Sequence, residues 1–258
     1  MSIKSLQSRL EECQIPVVKK LLGIMIEKKT NLCVAADFKT FDEVLRFIEK
    51  AGKHIAVLKT HCAKYPGDLS KNLSILYEKK REHRFLLFDD PKFYDCKEVI
   101  EDLYRAHYAK YADLVTLVPI NPGIFEAIRS AVKSLDLPED EHRGCLAVCE
   151  VSFADTSNSW STEFLKRAEE NAPICAGIVA QSLKCSNKSM IKATPGVRID
   201  KTSDAYQQWR HPLNVLADGA DLIIVGRGIT RQPEEKWEDK VIEYKEVCFN
   251  AYFDLVNK

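Results

Sequence analysis

The sequence lacks an excess of charge of either sign. Its 38 lysine and arginine residues are balanced by 38 aspartate and glutamate residues. A protein without net charge has no overall electrostatic attraction to nucleic acid or to an anionic membrane surface. No local stripe of basic and aromatic residues replaces that attraction. We therefore expect neither nucleic acid nor a membrane among its partners.

Long apolar runs and paired cysteine motifs are also missing. No apolar run approaches the roughly 18 to 20 residues that a membrane-spanning helix needs, and residues 1–30 contain no apolar block of the signal-peptide type. The nine cysteines include no Cys-x-x-Cys pair, which disfavours a zinc knuckle. Scattered cysteines of this kind are typical of core positions in a reducing compartment. We expect a soluble, cytoplasmic protein with free thiols.

What the sequence does contain is a repeated alternation of short apolar strands and amphipathic helices. In the first unit, the apolar run 31–37 precedes Thr40 and Glu43, which form a capping-box pattern at the start of a helix. Seven further strands are predicted by the same criteria, at residues 55–59, 85–88, 113–118, 145–152, 174–180, 190–195 and 221–225. Pro233 is predicted to open a long C-terminal helix, since proline fits the first helical turn.

Eight strand-helix units at roughly regular spacing predict an α/β fold of the (β/α)8 barrel type. The barrel is expected to form a single domain over residues 1–258, with an N-terminal helical extension over about residues 1–29. A doubly wound open sheet is the alternative fold. It is disfavoured because the Gly-x-Gly-x-x-Gly turn typical of that fold is absent after the first strand.

Charged and polar residues stand where the predicted strands end. They are Asp37, Lys59, Asp90, Lys92 and Ser152, with Asp95 on the loop beyond. The carboxyl ends of barrel strands meet at one rim, where active sites are built. Residues two apart on an extended chain face the same side. Asp90 and Lys92 are therefore predicted to point together into the mouth of the barrel, the opening inside this rim. A solvated surface turn is the alternative interpretation of this stretch.

Carboxylates and ammonium groups that lie close together keep each other charged. A carboxylate held in this way can destabilise an anionic group on a bound substrate, and a neighbouring lysine can protonate the carbanion that remains. This chemistry needs neither a metal nor an organic cofactor. The charged cluster therefore predicts cofactor-independent proton and carbanion chemistry.

A second cluster follows the eighth predicted strand. Gly226 and Gly228 flank Arg227, a pattern that lets backbone N–H groups and a guanidinium reach an anion together. The loops after strands seven and eight form the usual phosphate site of a barrel. The loop after the seventh predicted strand contributes residues 194–197 and 207–209 to this candidate phosphate site. The alternative interpretation of Gly226–Gly228 is an ordinary tight turn that binds no anion.

Together these residues resemble the orotidine 5′-phosphate decarboxylase family, especially its eukaryotic and fungal branch. The family motif is often written Phe-Glu-Asp-Arg-Lys-Phe-Ala-Asp, and residues 88–95 read Phe-Asp-Asp-Pro-Lys-Phe-Tyr-Asp. Similar blocks follow in the family's order over nearly the whole chain, at residues 31–33, 58–61, 143–146, 194–197, 207–208 and 223–229. Several blocks in order are more specific than any single motif.

The resemblance implies a homodimer that decarboxylates orotidine 5′-phosphate to UMP without a cofactor or a metal. The residues that match the family's charged catalytic network are Lys59, Asp90, Lys92 and Asp95. It implies that Lys92 protonates C6 and that Asp95 reaches the neighbouring subunit's site. The residues that match substrate-binding positions are Asp37 for the ribose, Ser152 for the pyrimidine edge, Pro195 for the pocket wall, and Gln207, Trp209, Gly226 and Arg227 for the phosphate region.

Several positions depart from the family pattern. Ala35 stands where a serine is usual, and Val99 replaces a threonine whose hydroxyl would meet the partner's ribose. Trp209 replaces a tyrosine, and its indole can donate but not accept a hydrogen bond. The Asn-Ala-His element after strand four is replaced by residues 116–118. These changes leave two alternative functions open. The protein could be a related barrel lyase that acts on another phosphorylated substrate, or a nucleotide-binding pseudoenzyme.

Overall fold

The computed structural model describes residues 4–152, 159–200 and 209–257. Eight parallel strands in these residues close into a barrel in chain order, with β8 paired to β1. The strands are β1 (Leu32–Ala35), β2 (Val57–Thr60), β3 (Leu86–Phe93), β4 (Leu114–Leu117), β5 (Gly144–Val148), β6 (Cys175–Val179), β7 (Ile191–Thr194) and β8 (Leu222–Val225). The predicted barrel is confirmed, and each predicted strand overlaps an observed one.

Two helices precede β1, and helices follow each strand except β6 in the described ranges. They are α1 (Leu6–Glu12), α2 (Pro16–Lys28), α3 (Phe41–Ala51), α4 (Leu69–His83), α5 (Lys97–Leu103), α6 (Gly123–Lys133), α7 (Ser161–Glu170), α8 (Pro212–Ala217), α9 (Arg227–Thr230) and α10 (Trp237–Val256). Wider helical turns at Tyr104–Tyr108 continue α5. In the described ranges, none of these helices combines the length and apolar character that crossing a membrane requires.

Two details of the helices bear on the sequence predictions. The capping box at the start of α3 is present, since the Thr40 hydroxyl accepts from the Glu43 N–H and the Glu43 carboxylate accepts from the Thr40 N–H. The long C-terminal helix begins at Trp237, so the prediction that Pro233 opens it is wrong by one turn. Pro233 instead precedes a short 3-10 turn at Glu234–Lys236.

The N-terminal helix α2 covers the end of the barrel where the strands begin. Its residues Val17, Leu21 and Met25 are buried. Val17 packs closely against Gly144, the first residue of β5. A Cβ placed on Gly144 would lie 3.0 Å from a methyl group of Val17. This end of the barrel is therefore closed, and access to the barrel axis is left at the carboxyl ends of the strands.

A buried ionic network fixes the same end of the barrel. The Lys80 ammonium contacts Asp113 at 2.7 Å and Glu141 at 2.8 Å, and Arg143 contacts Glu141 at 2.7 Å. Burial alone would raise the pKa of Glu141, but its bonds to Lys80, Lys20 and Arg143 lower it to about 2. The network ties α4 to the segments that lead into β4 and β5.

Candidate active site

A cavity of about 270 Å³ opens at the carboxyl ends of the strands. Most of the sequence-predicted site residues line it: Asp37, Lys59, Asp90, Lys92, Ser152, Pro195, Trp209, Gly226 and Arg227. These residues come from the ends of β1, β2, β3, β5, β7 and β8 and the loops that follow them. The barrel therefore gathers side chains that are far apart in sequence into one site.

Asp90 lies at the centre of the charged side of this cavity. Its Oδ2 atom is 2.7 Å from the Lys59 ammonium and 2.9 Å from the Lys92 ammonium. Its other oxygen, Oδ1, accepts a hydrogen bond of 2.6 Å from the Thr116 hydroxyl. Because both oxygens are engaged, the carboxylate is fixed in one orientation.

The electrostatics of this group favour the ionised forms. Burial would raise the pKa of Asp90, but the charges of Lys59 and Lys92 outweigh it and the pKa is lowered. Burial would likewise lower the pKa of Lys59, but the carboxylates of Asp90 and Asp37 raise it. Lys59 and Asp90 thus stay charged in a site where each has only 9% of its side chain exposed.

The backbone at Lys92 departs from a regular strand. Lys92 has a φ of +51°, in the left-handed region that residues with a Cβ rarely adopt. The pairing of β3 with β4 also shifts register between Asp89 and Phe93. The prediction that Asp90 and Lys92 face the mouth together is confirmed, but the regular alternation behind it is not. A kink held by the hydrogen bond from Lys92 N–H to Thr116 Oγ1, 2.9 Å long, turns Lys92 inward.

Two ionisable residues that line the cavity were not assigned a role from the sequence. His61 Nε2 is 3.1 Å from the Lys59 ammonium and 3.4 Å from Asp90 Oδ2. Burial, followed by the charge of Lys59, lowers the pKa of His61, which favours the neutral ring. Its place two residues after Lys59 was the available signal, because residues at i and i+2 of a strand share a face.

Glu150 is the second such residue. Its carboxylate accepts hydrogen bonds from the backbone N–H groups of Gln181, Ser182 and Leu183 and from the Ser182 hydroxyl. Burial would raise the pKa of Glu150, but these donors lower it. Glu150 therefore joins the loops after β5 and β6, and it fixes the chain that leads to Ser152.

The end of β8 forms another part of the cavity wall. Gly226 and Arg227 line it, and the next residue, Gly228, packs against Tyr244 of α10. A Cβ at Gly228 would lie 2.2 Å from the Tyr244 hydroxyl oxygen, so a larger residue there would require the buried Tyr244 side chain to move. The tight approach sets the position of the Arg227 backbone relative to the barrel.

Among the described residues, one predicted site residue, Asp95, does not line the cavity. Asp95 is exposed, and its carboxylate accepts a hydrogen bond of 2.7 Å from the Cys96 N–H. Gln207 lies outside the residues that the structure describes. Asp89, next to Asp90, points away from the mouth and is buried against the Thr60 hydroxyl and the Cys62 N–H.

A metal-like grouping occurs elsewhere on the chain. Within the described ranges, Glu49, Glu82 and His83 place three potential ligand atoms within 4.8 Å of one another. They belong to α3 and α4 and do not line the cavity. Lys79 forms ion pairs with both glutamates, which accounts for their proximity.

The fold and the cavity together define a (β/α)8 barrel enzyme with a lysine–aspartate–lysine centre and an arginine in one cavity at the strand ends. The chain belongs to the orotidine 5′-phosphate decarboxylase / HUMPS family, whose model matches residues 30–239. That match spans most of the barrel, from the residues before β1 into α10.

Curated relatives agree with this assignment, and a solved structure is similar in fold. The chain is 30% identical to the orotidine 5′-phosphate decarboxylase of Eremothecium gossypii, over 100% of this chain and 99% of the relative. It is 34% identical to that of Phycomyces blakesleeanus, over 98% and 96%. The fold is similar to that of the Methanocaldococcus jannaschii orotidine 5′-monophosphate decarboxylase complexed with the inhibitor BMP, with a TM-score of 0.64, 19% identity and coverage of 88% and 98%. The full-length matches to fungal proteins support the eukaryotic-type branch.

Proposed function

We propose that this protein decarboxylates orotidine 5′-phosphate to UMP, without a cofactor. The observation that carries the proposal is the fixed Lys59–Asp90–Lys92 group, which lines the same cavity as Arg227. The named activity of the full-length relatives supports it. A charged reaction centre and an arginine in one cavity suit a nucleotide monophosphate, with the base bound at the reaction centre and the phosphate at the arginine.

In the proposed mechanism, Asp90 acts on the ground state of the substrate. Arg227 and Gly226 bind the phosphate, Asp37 binds the ribose and Ser152 binds the pyrimidine edge. The C6 carboxylate then lies beside the ionised Asp90, which cannot turn away because its oxygens are held by Lys59, Lys92 and Thr116. The repulsion of two carboxylates raises the energy of the bound substrate, and loss of CO2 relieves it.

Lys92 completes the reaction. When the C6–CO2 bond breaks, its electron pair stays on C6, and the Lys92 ammonium donates a proton to that carbon. The products are CO2 and UMP, and the neutral amine regains a proton from solvent. Binding energy from the distant phosphate offsets the repulsion at the reaction centre, as expected when remote groups supply the energy for ground-state destabilisation.

The decisive experiment follows the loss of orotidine 5′-phosphate absorbance. We expect turnover in the wild type that EDTA does not reduce. The Lys92→Ala variant should lose at least about 100- to 10,000-fold in kcat, the range that a positioned acid contributes. The exposed Lys188→Ala serves as a matched control. UMP binding without turnover would indicate a pseudoenzyme, and turnover of only another phosphorylated substrate would indicate the related lyase.

We further propose that the active form is a homodimer in which Asp95 completes the neighbouring site. Tyr94, Val99 and Leu103 surround Asp95 in sequence and are large apolar side chains with 66%, 41% and 44% exposure. Exposed apolar groups clustered beside a charged residue favour a protein–protein contact. Light scattering coupled to gel filtration tests the mass of the assembly.

For the cellular location we propose the cytoplasm. The cysteines of the chain are free thiols in the structure, most of them buried. Unpaired cysteines in this number favour a reducing compartment. Microscopy of a fluorescent fusion in a eukaryotic cell tests this location.

A further inference from the structure

Two arginines lie over the ring of Trp209. The guanidinium carbon of Arg227 is 4.8 Å from the ring centroid, and that of Arg198 is 5.2 Å from it. Both distances are within the range of a cation–π interaction, for which tryptophan is the strongest aromatic partner. One indole therefore interacts with two cations next to the proposed phosphate position.

The backbone around Trp209 holds this arrangement in place. Residue Val197 forms a parallel bridge with Arg210, and the Arg198 N–H donates to the Arg210 carbonyl at 3.0 Å. The Arg210 N–H donates in turn to the Gly196 carbonyl at 2.9 Å. The Arg210 side chain is bound to Asp218 and to the carbonyl of Gln181. Arg198 and Trp209 thus belong to two short paired segments that are fixed to the barrel.

The three side chains differ in their relation to the cavity. Trp209 and Arg227 line it, whereas Arg198 does not. Arg198 is partly buried, and its Nε atom has no hydrogen-bond partner among the described residues. A guanidinium in that position acts on the cavity through the indole ring that it contacts. It also adds a positive charge near the site.

We propose that Trp209 and Arg198 are positioning residues for the phosphate group of the nucleotide. This inference rests on the proposed function. The ring of Trp209 holds the Arg227 guanidinium in the orientation that meets the phosphate, and Arg198 holds the ring. The contribution of Trp209 is therefore its aromatic face, and an indole N–H bond to the phosphate is not required. A long arginine side chain that is oriented before binding loses less entropy when the ligand arrives.

The test measures the binding of UMP and of uridine by calorimetry, since the two ligands differ only in the phosphate. Trp209→Leu and Arg198→Met should each weaken UMP binding by roughly 3- to 30-fold, the range that a cation–π contact supplies. Uridine binding should change by less than about twofold, because the phosphate contact is absent. Trp209→Phe keeps an aromatic face and loses the N–H, so it should restore most of the UMP affinity. Arg46→Met, at an exposed arginine on α3, is the matched control.

A double-mutant cycle tests whether Trp209 acts through Arg227. In the Arg227→Met background, Trp209→Leu should have little further effect on UMP binding, since coupled residues are not additive. Equal losses in both backgrounds would overturn the inference. So would a Trp209→Phe protein as weak as Trp209→Leu, which would assign the role to the N–H, or parallel losses for uridine, which would assign it to the shape of the pocket.

The proposed function and this inference fail in different ways. Absence of orotidine 5′-phosphate turnover in the wild type would reject the decarboxylase and leave the binding comparison intact. Wild-type turnover together with unchanged UMP affinity in Trp209→Leu and Arg198→Met would reject the positioning role alone. A wild type that neither turns over orotidine 5′-phosphate nor binds UMP would reject both. Thermal unfolding of each variant identifies any that fail to fold.

Discussion

Asp90 contacts more charged and polar side chains than the sequence around it indicates. Two ammonium groups share one of its oxygens, and the Thr116 hydroxyl holds the other. Thr116 also accepts the N–H of Lys92, the residue with the positive φ. One threonine thus orients both the carboxylate and the backbone of the proposed proton donor. Backbone strain of this kind persists only where surrounding contacts enforce it.

Substitution of Thr116 tests this double role. Thr116→Val keeps the shape of the side chain and removes both hydrogen bonds. We expect kcat to fall by about 10- to 100-fold, as hydrogen bonds to charged groups contribute roughly 1.5–3 kcal/mol. Thr116→Ser retains the hydroxyl and should recover most of the rate in the orotidine 5′-phosphate assay. A valine variant with wild-type kcat would show that Lys59 and Lys92 alone hold Asp90.

Asp89 is the neighbouring carboxylate, and it predicts a pH effect on stability. Burial raises its pKa to about 6, against the hydrogen bonds from Thr60 and Cys62 that lower it. The folded state therefore binds this proton more tightly than the unfolded state. The stabilising contribution is fully present below the ordinary aspartate pKa and is lost as pH rises through about 6.

Asp89→Asn removes this titration and keeps an oxygen for both donors. Between pH 4 and pH 7, the free energy of unfolding of the wild type should fall relative to the variant by at most about 3 kcal/mol. Urea denaturation of both proteins at the two pH values measures the difference, and other titrating groups cancel in the comparison. A wild type that instead gains stability over the variant as pH rises would contradict the sign.

At the scale of the elements, the sequence predicts the barrel well and the site in part. All eight strands follow from short apolar runs, since strands buried on both faces have no need of polar alternation. The strand ends then locate Lys59, Asp90 and Lys92 at one rim. The extent of β3 was not predictable: it runs to Phe93, through charged residues and a kink. The kink depends on the contact with Thr116 of β4, and this contact cannot be predicted from the residues of β3 alone.

Dependence on contacts between distant parts of the sequence also explains why the roles of Glu150 and Arg198 were not predicted. Glu150 is a functional candidate because it binds three N–H groups of the loop after β6, about thirty residues away in sequence. The pairing of Arg198 with Trp209 depends on a short bridge between two loop segments. The start of a helix is easier to predict, because the capping residues lie close together in sequence. The capping box at Thr40 was predictable because both partners lie within four residues.

The ionic network around Lys80 belongs to α4 and the closed end of the barrel. Lys80→Met would leave Asp113 and Glu141 buried with one cation fewer, and loss of one partner from a buried ion pair costs about 3–5 kcal/mol. We expect a loss of that size in urea denaturation, with kcat of the folded protein unchanged, since the network lies at the opposite end from the cavity. Lys71→Met, at an exposed position of α4, is the control. A loss below about 1 kcal/mol would indicate that Arg143 and Lys20 suffice.

At the scale of the whole molecule, the position of Asp95 decides how many chains a site requires. Asp95 is exposed and lies beyond the cavity that holds Lys59, Asp90 and Lys92. The apolar side chains of Tyr94, Val99 and Leu103 lie close to it in sequence and are also exposed. If the proposed two-fold symmetric dimer forms through this surface, the same patch of both chains meets there and Asp95 faces the partner chain. The proposed dimer therefore predicts that each site takes Asp95 from the neighbour.

Mixing of two inactive proteins tests this arrangement. In a heterodimer of Lys92→Ala and Asp95→Ala chains, one site would combine an intact Lys92 with an intact Asp95 from the partner, and the other site would lack both. Random exchange puts half of the chains in heterodimers, so activity should rise from near zero to about a quarter of the wild-type value. If Asp95 served the site of its own chain, no heterodimer would contain an intact site, and the mixture would stay inactive. A mixture of either variant with itself is the control, and exchange is verified by mass spectrometry of the native assemblies.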